Sequence, residues 1–209
     1  MILNLGCIVE GHGDVQAVPV LLRRLQQAWD PALDLNIPRP ERVGRYKLVK
    51  SGELEGRVES VARRLPTPRA ILILIDAEDD CPKQLAPELL ARAKEVRPDI
   101  PMAVVLAKRE FEAWFLAAIE SLAGRRGLSE ELPAVADPEA VRGAKEFLTC
   151  NMPGGRAYAE TLDQPALAAV FDLELARTRS DSFDKCRREV ERLFREASVE
   201  TPPGDEPRG

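Results

Sequence analysis

Two short acidic segments hold the side chains best suited to chemistry. In "VEGHGD", Glu10 and Asp14 flank the chain's only histidine, His12. In "ILILIDAEDDCP", an apolar run ends in Asp76, Glu78, Asp79 and Asp80. Carboxylates gathered in one place repel, and two of them about 4 Å apart do so by roughly 4 kcal/mol at an effective dielectric of about 20. Several cannot all stay ionised without a partner. A hard divalent cation with oxygen ligands resolves the conflict, and Mg²⁺ or Mn²⁺ is the expected ion. Such an ion stays partly hydrated, leaving positions for phosphate oxygens and an attacking water. The plainer alternative is a helix N-cap with solvated acids. "DAEDDCPKQL" also leads into a helical pattern, and acids are favoured at a helix N-terminus.

The elements before these segments must bring them together. "ILNLGCIVE" reads as a buried strand ending at Glu10, and "RAILILID" is the clearest strand, ending at Asp76. Residues 14–29 carry apolar side chains at 15, 18, 21, 22, 25 and 29, a helical period with Asp14 as its expected N-cap. "RYKLVK" is the expected second strand and "GELEGRVESVARRL" the second helix. "PKQLAPELLARAKEV", "PMAVVLA" and "REFEAWFLAAIESLA" read as helix, strand and helix. This alternation predicts an α/β fold, a Rossmann-like, mainly parallel four-stranded sheet sandwiched by helices. With strand order 2-1-3-4, strands one and three are neighbours. Glu10 and Asp76 then converge beyond the carboxyl ends of the strands, where open parallel sheets bind ligands. Beyond residue 120, "DPEAVRGAKEFL", "QPALAAVFDLELAR" and "SFDKCRREVERLFREA" read as helices. The expected organisation is a core over 1–120, a helical extension over 121–198 and a disordered tail over 199–209.

Composition narrows the class. The 209 residues are 44% hydrophobic and 31% charged, as in one soluble domain. No apolar run is long enough to span a bilayer, and the N-terminus turns acidic too soon for a signal peptide, so the expected location is the cytoplasm with no membrane partner. Four scattered cysteines and one histidine argue against a zinc site or a disulfide framework. The net charge is -5, yet residues 39–69 hold nine basic residues against four acids. Arg42, Arg45, Lys47 and Lys50 are the candidate nucleic-acid contacts in that stretch. A solvated basic surface is the plainer alternative.

"IVEGHGD" followed by "ILIDAEDD" resembles the two signature segments of Toprim domains. The spacing of Glu10 and Asp14 is most similar to the overcoming-lysogenization-defect (OLD) nucleases. A narrower resemblance, to an uncharacterised bacterial Toprim-like family, runs to about residue 195. It includes "REFEAWFLA" at 109–117 and "SDSFDK" at 180–185. The resemblance implies a Toprim core and metal-dependent hydrolysis of nucleic-acid phosphodiesters. Glu10 would take part in acid–base chemistry or metal binding, and Asp14 would join the metal site. Asp76 and Glu78 would form the DxD-type pair, with Asp80 in support. Glu78 departs from the family aspartate; it reaches one methylene further, and Asp76 with Asp79 or Asp80 is the alternative pair. The resemblance also implies a second metal at Glu112 and a role in defence against phage or mobile DNA. OLD nucleases use an ATPase domain, and no Walker motif stands here, so a separate ATPase partner is expected.

Three questions stay open at this level. Phosphodiester hydrolysis gains from a cation at the transition state. Lys108, ending strand four, and Lys145, on a later helix, are the candidates. Glu112 is either a ligand or an exposed acid within a core stripe of Phe111, Trp114 and Phe115. The whole domain is either a hydrolase or a non-catalytic module that binds nucleic acid or a protein partner.

Overall fold

The computed structural model describes residues 2–199. In chain order the elements are β1 (Ile2–Val9), α1 (Asp14–Trp29), β2 (Asp34–Asn36), β3 (Glu41–Arg42), α2 (Arg45–Leu48), α3 (Glu53–Arg64) and β4 (Arg69–Asp76). There follow α4 (Pro82–Val96), β5 (Met102–Ala107), α5 (Ala113–Ala117), α6 (Ala144–Cys150), α7 (Glu160–Ala168), α8 (Leu173–Arg179) and α9 (Asp181–Val199). The fold is α/β and Rossmann-like, a five-stranded parallel sheet between helical layers with helices continuing to the C-terminal end.

Strand order is β2-β1-β4-β5, and β3 also pairs with β1. β2 lies beside Ile2–Asn4 and β3 beside Ile8–Val9, so two short strands share one edge position. Pro38 and Pro40 lie between them and have no N–H to donate to a ladder. The order expected for four strands therefore holds, with its second position split.

The expected strand over 45–50 is not a strand; it begins with the one-turn helix α2. Residues 34–36 and 41–42 already occupy the edge. α2 instead drives Leu48 into the core, while the Val49 and Lys50 carbonyls accept from Arg92 at 2.9 and 2.7 Å. Other boundaries also move. α5 covers five residues, where the sequence predicts a longer helix. α6 starts only after Gly143, which takes a left-handed φ of 76°. The helix expected over 164–177 is two helices, because the Asp172 carboxylate caps α8 through the Glu174 and Leu175 N–H groups, both at 2.9 Å. The expected tail lies, from residue 200 onward, outside the described residues.

Alternation along each strand makes two cores. Leu3, Leu5, Cys7 and Val9, with Leu72 and Leu74, face α1 and the C-terminal helices. Ile8, Ile71, Ile73 and Ile75 face α3 and α4. A Cβ on Gly6 would stand 2.5 Å from Val61 Cγ1, so glycine is what lets α3 lie close on β1. On the first face, Phe111, Trp114, Phe115, Phe171 and Phe183 stack as a chain of aromatic pairs 4.7 to 5.5 Å apart. Trp114 Nε1 donates to Ser182 Oγ at 2.9 Å, tying this cluster to α9. Aromatic pairs of this kind add to burial and fix the segment around Glu112. No helix among the described residues is long and apolar enough to cross a membrane.

Candidate metal centre

The last registered pair between β1 and β4 is Val9 with Leu74, and just beyond it stand Glu10 and Asp76. Glu10 Oε2 accepts from the Asp76 N–H at 3.2 Å. Asp76 Oδ1 accepts from the Phe111 N–H at 2.9 Å. Asp14 begins α1 after Gly13; its carboxylate accepts from the Gly11 N–H and from Gln164 Nε2, both at 2.8 Å. Glu112 Oε1 accepts from the Tyr158 hydroxyl at 2.9 Å. Lys145 Nζ lies 3.4 Å from Glu160 Oε2 and 3.9 Å from Glu112 Oε2. Glu160 Oε1 in turn accepts from the Gly13 N–H at 3.0 Å. Glu10, Asp14, Asp76, Glu112 and Lys145 all border a cavity of about 270 Å³.

Local sequence explains the placement. Glu110 Oε1 accepts the Ala144 N–H at 2.5 Å, so "REFE" fixes the start of α6, and Lys145 follows at once. Gly13 has an ordinary φ of -67°, so its need is spatial. A Cβ there would lie 1.9 Å from Gln164 Oε1 and 2.6 Å from Glu160 Cγ. Glycine allows α7 to reach the mouth of β1.

Burial dominates the electrostatics. It raises the pKa of Asp76 well above the usual range, and Asp14, Glu112 and Glu10 push the same way against Lys145. Burial raises Glu112 to about 8, with Lys145 opposing and Glu110 adding. Glu10 and Asp14 are raised as well, again by burial first. Burial works against the Lys145 ammonium, but Glu112, Glu160, Asp76 and Glu110 more than offset it, so its pKa is raised. The cavity thus sets a lysine whose charge is favoured among carboxyl groups that hold their protons to higher pH than usual, Glu112 up to about 8.

Of the other candidates, all but Arg42 lie outside this cavity. The Glu78 side chain is 65% exposed, at a left-handed φ of 50°, and faces Arg45 at 3.7 Å. Asp80 is ion-paired with Arg45, and Asp79 with Arg109 and Arg142. Lys108 is half exposed and lies 3.8 Å from Glu139, so geometry separates it from Lys145. Arg45 is tied to the β4 end, its Nε donating to the Asp76 carbonyl at 3.1 Å. Arg42 borders the acidic cavity, whereas Lys47 lines the neighbouring cleft and Lys50 lies over the Tyr46 ring. Much of the remaining basic segment is neutralised: Arg57 and Arg64 pair with Glu41, Arg63 with Glu59 and Arg69 with Asp99.

The donor set suits a hard cation. Glu10, Asp14, Asp76 and Glu112 offer oxygen ligands alone, as Mg²⁺ and Mn²⁺ prefer. Two buried oxygens beside the cavity, Glu112 Oε2 and Gln164 Oε1, have no hydrogen-bond partner. Buried unsatisfied oxygens of this kind call for a ligand or water. Among the described residues, however, no three acids, histidines or cysteines are already drawn together as a metal cluster. The carboxylates rest on backbone N–H groups, Gln164, Tyr158 and Lys145.

The family model described as "Domain of unknown function (DUF4276)" matches residues 9–191, most of the chain. The chain belongs to this family. Neither the curated proteins nor the solved structures hold a match to it. The DUF4276 span opens one residue before Glu10 and closes within α9, so it contains the whole constellation.

Three members of the DUF4276 site escape sequence reading: Tyr158, Glu160 and Gln164. Their signal is a polar i, i+4 pair, Glu160 and Gln164, at the start of a helix whose Gln164 side chain is buried. Glu112 carries a clearer lesson. It is 1% exposed, so it is not a solvated acid between core aromatics.

Proposed function

We propose that this DUF4276 chain is a divalent-metal-dependent phosphodiester hydrolase acting on nucleic acid. The carrying observation is the meeting of Glu10 and Asp76 at adjacent parallel strand ends, in one cavity with Asp14, Glu112 and Lys145. Glu10, Asp14 and Asp76 would hold Mg²⁺ or Mn²⁺, with Glu112 serving a second position. When bound, the ion stabilises negative charge on the phosphoryl oxygens. Lys145, 3.4 Å from Glu160, presents a cation to the same oxygens. Glu10, half-buried at the cavity with its pKa raised by burial, is the candidate for proton transfer. Arg42 borders both this cavity and the basic cleft, as a group bridging substrate phosphates would. The Toprim-like order of motifs supports the same reading, and with it a separate ATPase partner and a role in defence.

A second reading is a non-catalytic module that binds nucleic acid or a protein. The absence of a preformed metal cluster among the described residues favours it. The test is a single-turnover cleavage assay on single- and double-stranded DNA and RNA with Mn²⁺, with and without candidate ATPase partners. Cleavage that chelator abolishes supports the hydrolase. No cleavage of any substrate under any of these conditions supports the module.

A further inference from the structure

Beside the acidic cavity lies a larger cleft of about 630 Å³, and Glu10, Arg42 and Gly44 border both. Its wall carries Tyr46, 72% exposed, an unusual position for an aromatic ring. Water contact along most of a tyrosine ring forgoes the burial that normally places such side chains inside. The turn that presents it is nonetheless firmly held. Leu48 is fully buried, Arg45 is bonded to the Asp76 carbonyl, and Arg92 holds the Val49 and Lys50 carbonyls. Lys50 Nζ stands 3.8 Å from the Tyr46 ring centroid, a cation–π contact that steadies the ring. Arg42 and Lys47 line the same cleft and form no ion pair among the described residues.

We infer that Tyr46 is a stacking platform for an unpaired base, making single-stranded nucleic acid the preferred ligand of this cleft. The inference rests on the nucleic-acid reading above and narrows it. An exposed aromatic ring with Lys50 over one face, and Arg42 and Lys47 in the same cleft, matches what single strands offer to its other face: a base next to a phosphate. A duplex keeps its base faces stacked inside and cannot lay one on a ring within a cleft. An acidic peptide offers charge to Arg42 and Lys47 but no flat base face to lay on the Tyr46 ring. Arg42 borders both spaces, so a strand held on Tyr46 lies in a cleft that adjoins the acidic cavity.

The test is fluorescence anisotropy in EDTA at low salt, with labelled oligothymidylate, a duplex of equal length and an abasic oligomer. The parent should bind the single strand more tightly than the duplex. Tyr46→Ala should weaken single-strand binding about 5- to 150-fold, the effect of one stacked base. Tyr46→Phe should keep most of the affinity, and abasic-oligomer binding should be the same in the parent and Tyr46→Ala. Thermal melts should match the parent, since the ring is exposed. Unchanged single-strand affinity in Tyr46→Ala overturns the inference, as does equal loss in Tyr46→Phe or equal binding of duplex and single strand. A parent that binds no single strand overturns it too. Because EDTA removes metal, a failure of hydrolysis leaves this result intact, and a hydrolase whose Tyr46→Ala variant binds normally overturns this inference alone.

Discussion

Glu10 Oε2 accepts a hydrogen bond from the Asp76 backbone N–H at 3.2 Å, joining two neighbouring parallel strands just beyond their last registered pair. The bond fixes a carboxylate from β1 over the end of β4, so the sites of two distant sequence motifs become one.

Metal binding should depend on Asp76 far more than on Glu78. Asp76 is partly buried and borders the cavity, whereas Glu78 is exposed and faces Arg45. Calorimetry with Mn²⁺ should lose its signal in Asp76→Asn and keep it in Glu78→Gln. Loss in both Asp76→Asn and Glu78→Gln would restore the DxD pairing implied by the Toprim resemblance.

Binding of the metal should release protons. Burial raises Glu112 to about 8, so it carries a proton at neutral pH that a ligand carboxylate must shed, and burial also makes Asp76 hold its proton to higher pH than an ordinary aspartate. Mn²⁺ affinity should therefore climb between about pH 6 and about pH 9, and binding heat should vary with the ionisation enthalpy of the buffer. Flat affinity across that window would contradict protonated ligands.

The same groups give stability a defined slope with pH. The Glu112 pKa rises from 4.5 unfolded to about 8 folded, so between those values the folded state holds a proton that the unfolded state has lost. Its contribution is full below the lower value and is lost as pH rises through the upper one. Metal-free protein should weaken across this window, and Glu112→Gln should reduce the slope. Urea denaturation at several pH values reads this directly; parallel slopes for parent and variant would refute it.

Legibility in the sequence followed the range of the interaction. β1 and β4 were readable because continuous apolar runs must be buried on both faces, and the acids at their ends followed. The edge strands were not, since β2 and β3 have three and two residues, mostly polar, and prolines between them. Residues 45–50 alternate enough to suggest a strand, but Leu48 burial and the Arg92 bonds favour a turn of helix. Lys145 could not be told from Lys108, because the distinction lies in the Glu110 contact to Ala144 and the reach of α7. Glu160 and Gln164 join the site through close packing of α7 against Gly13; their i, i+4 spacing puts them on one helix face but does not say which strand end that face meets.

That packing makes Gly13→Ala a sharp probe. The added methyl meets Gln164 Oε1 and Glu160 Cγ, so it should pull Gln164 from Asp14 and Glu160 from Gly13. Overpacking should cost about 1–3 kcal/mol in urea unfolding, with weaker Mn²⁺ binding. Parent-like stability and binding would show that α7 yields freely there.

The lysines should separate in turnover. Lys145→Met should lower single-turnover cleavage by about 10²–10³-fold, as loss of one charge-stabilising donor does, while Lys108→Met leaves it unchanged. The reverse order would place the cation on β5.

The most direct measurement is the Mn²⁺-dependent single-turnover cleavage rate of Glu10→Gln against the parent, with melts confirming that both fold. Glu10 closes the strand pair, borders both cavities and is the proposed proton-transfer group or ligand. A loss of about 10²–10⁴-fold is the predicted result. An unchanged rate in a folded variant would contradict the account.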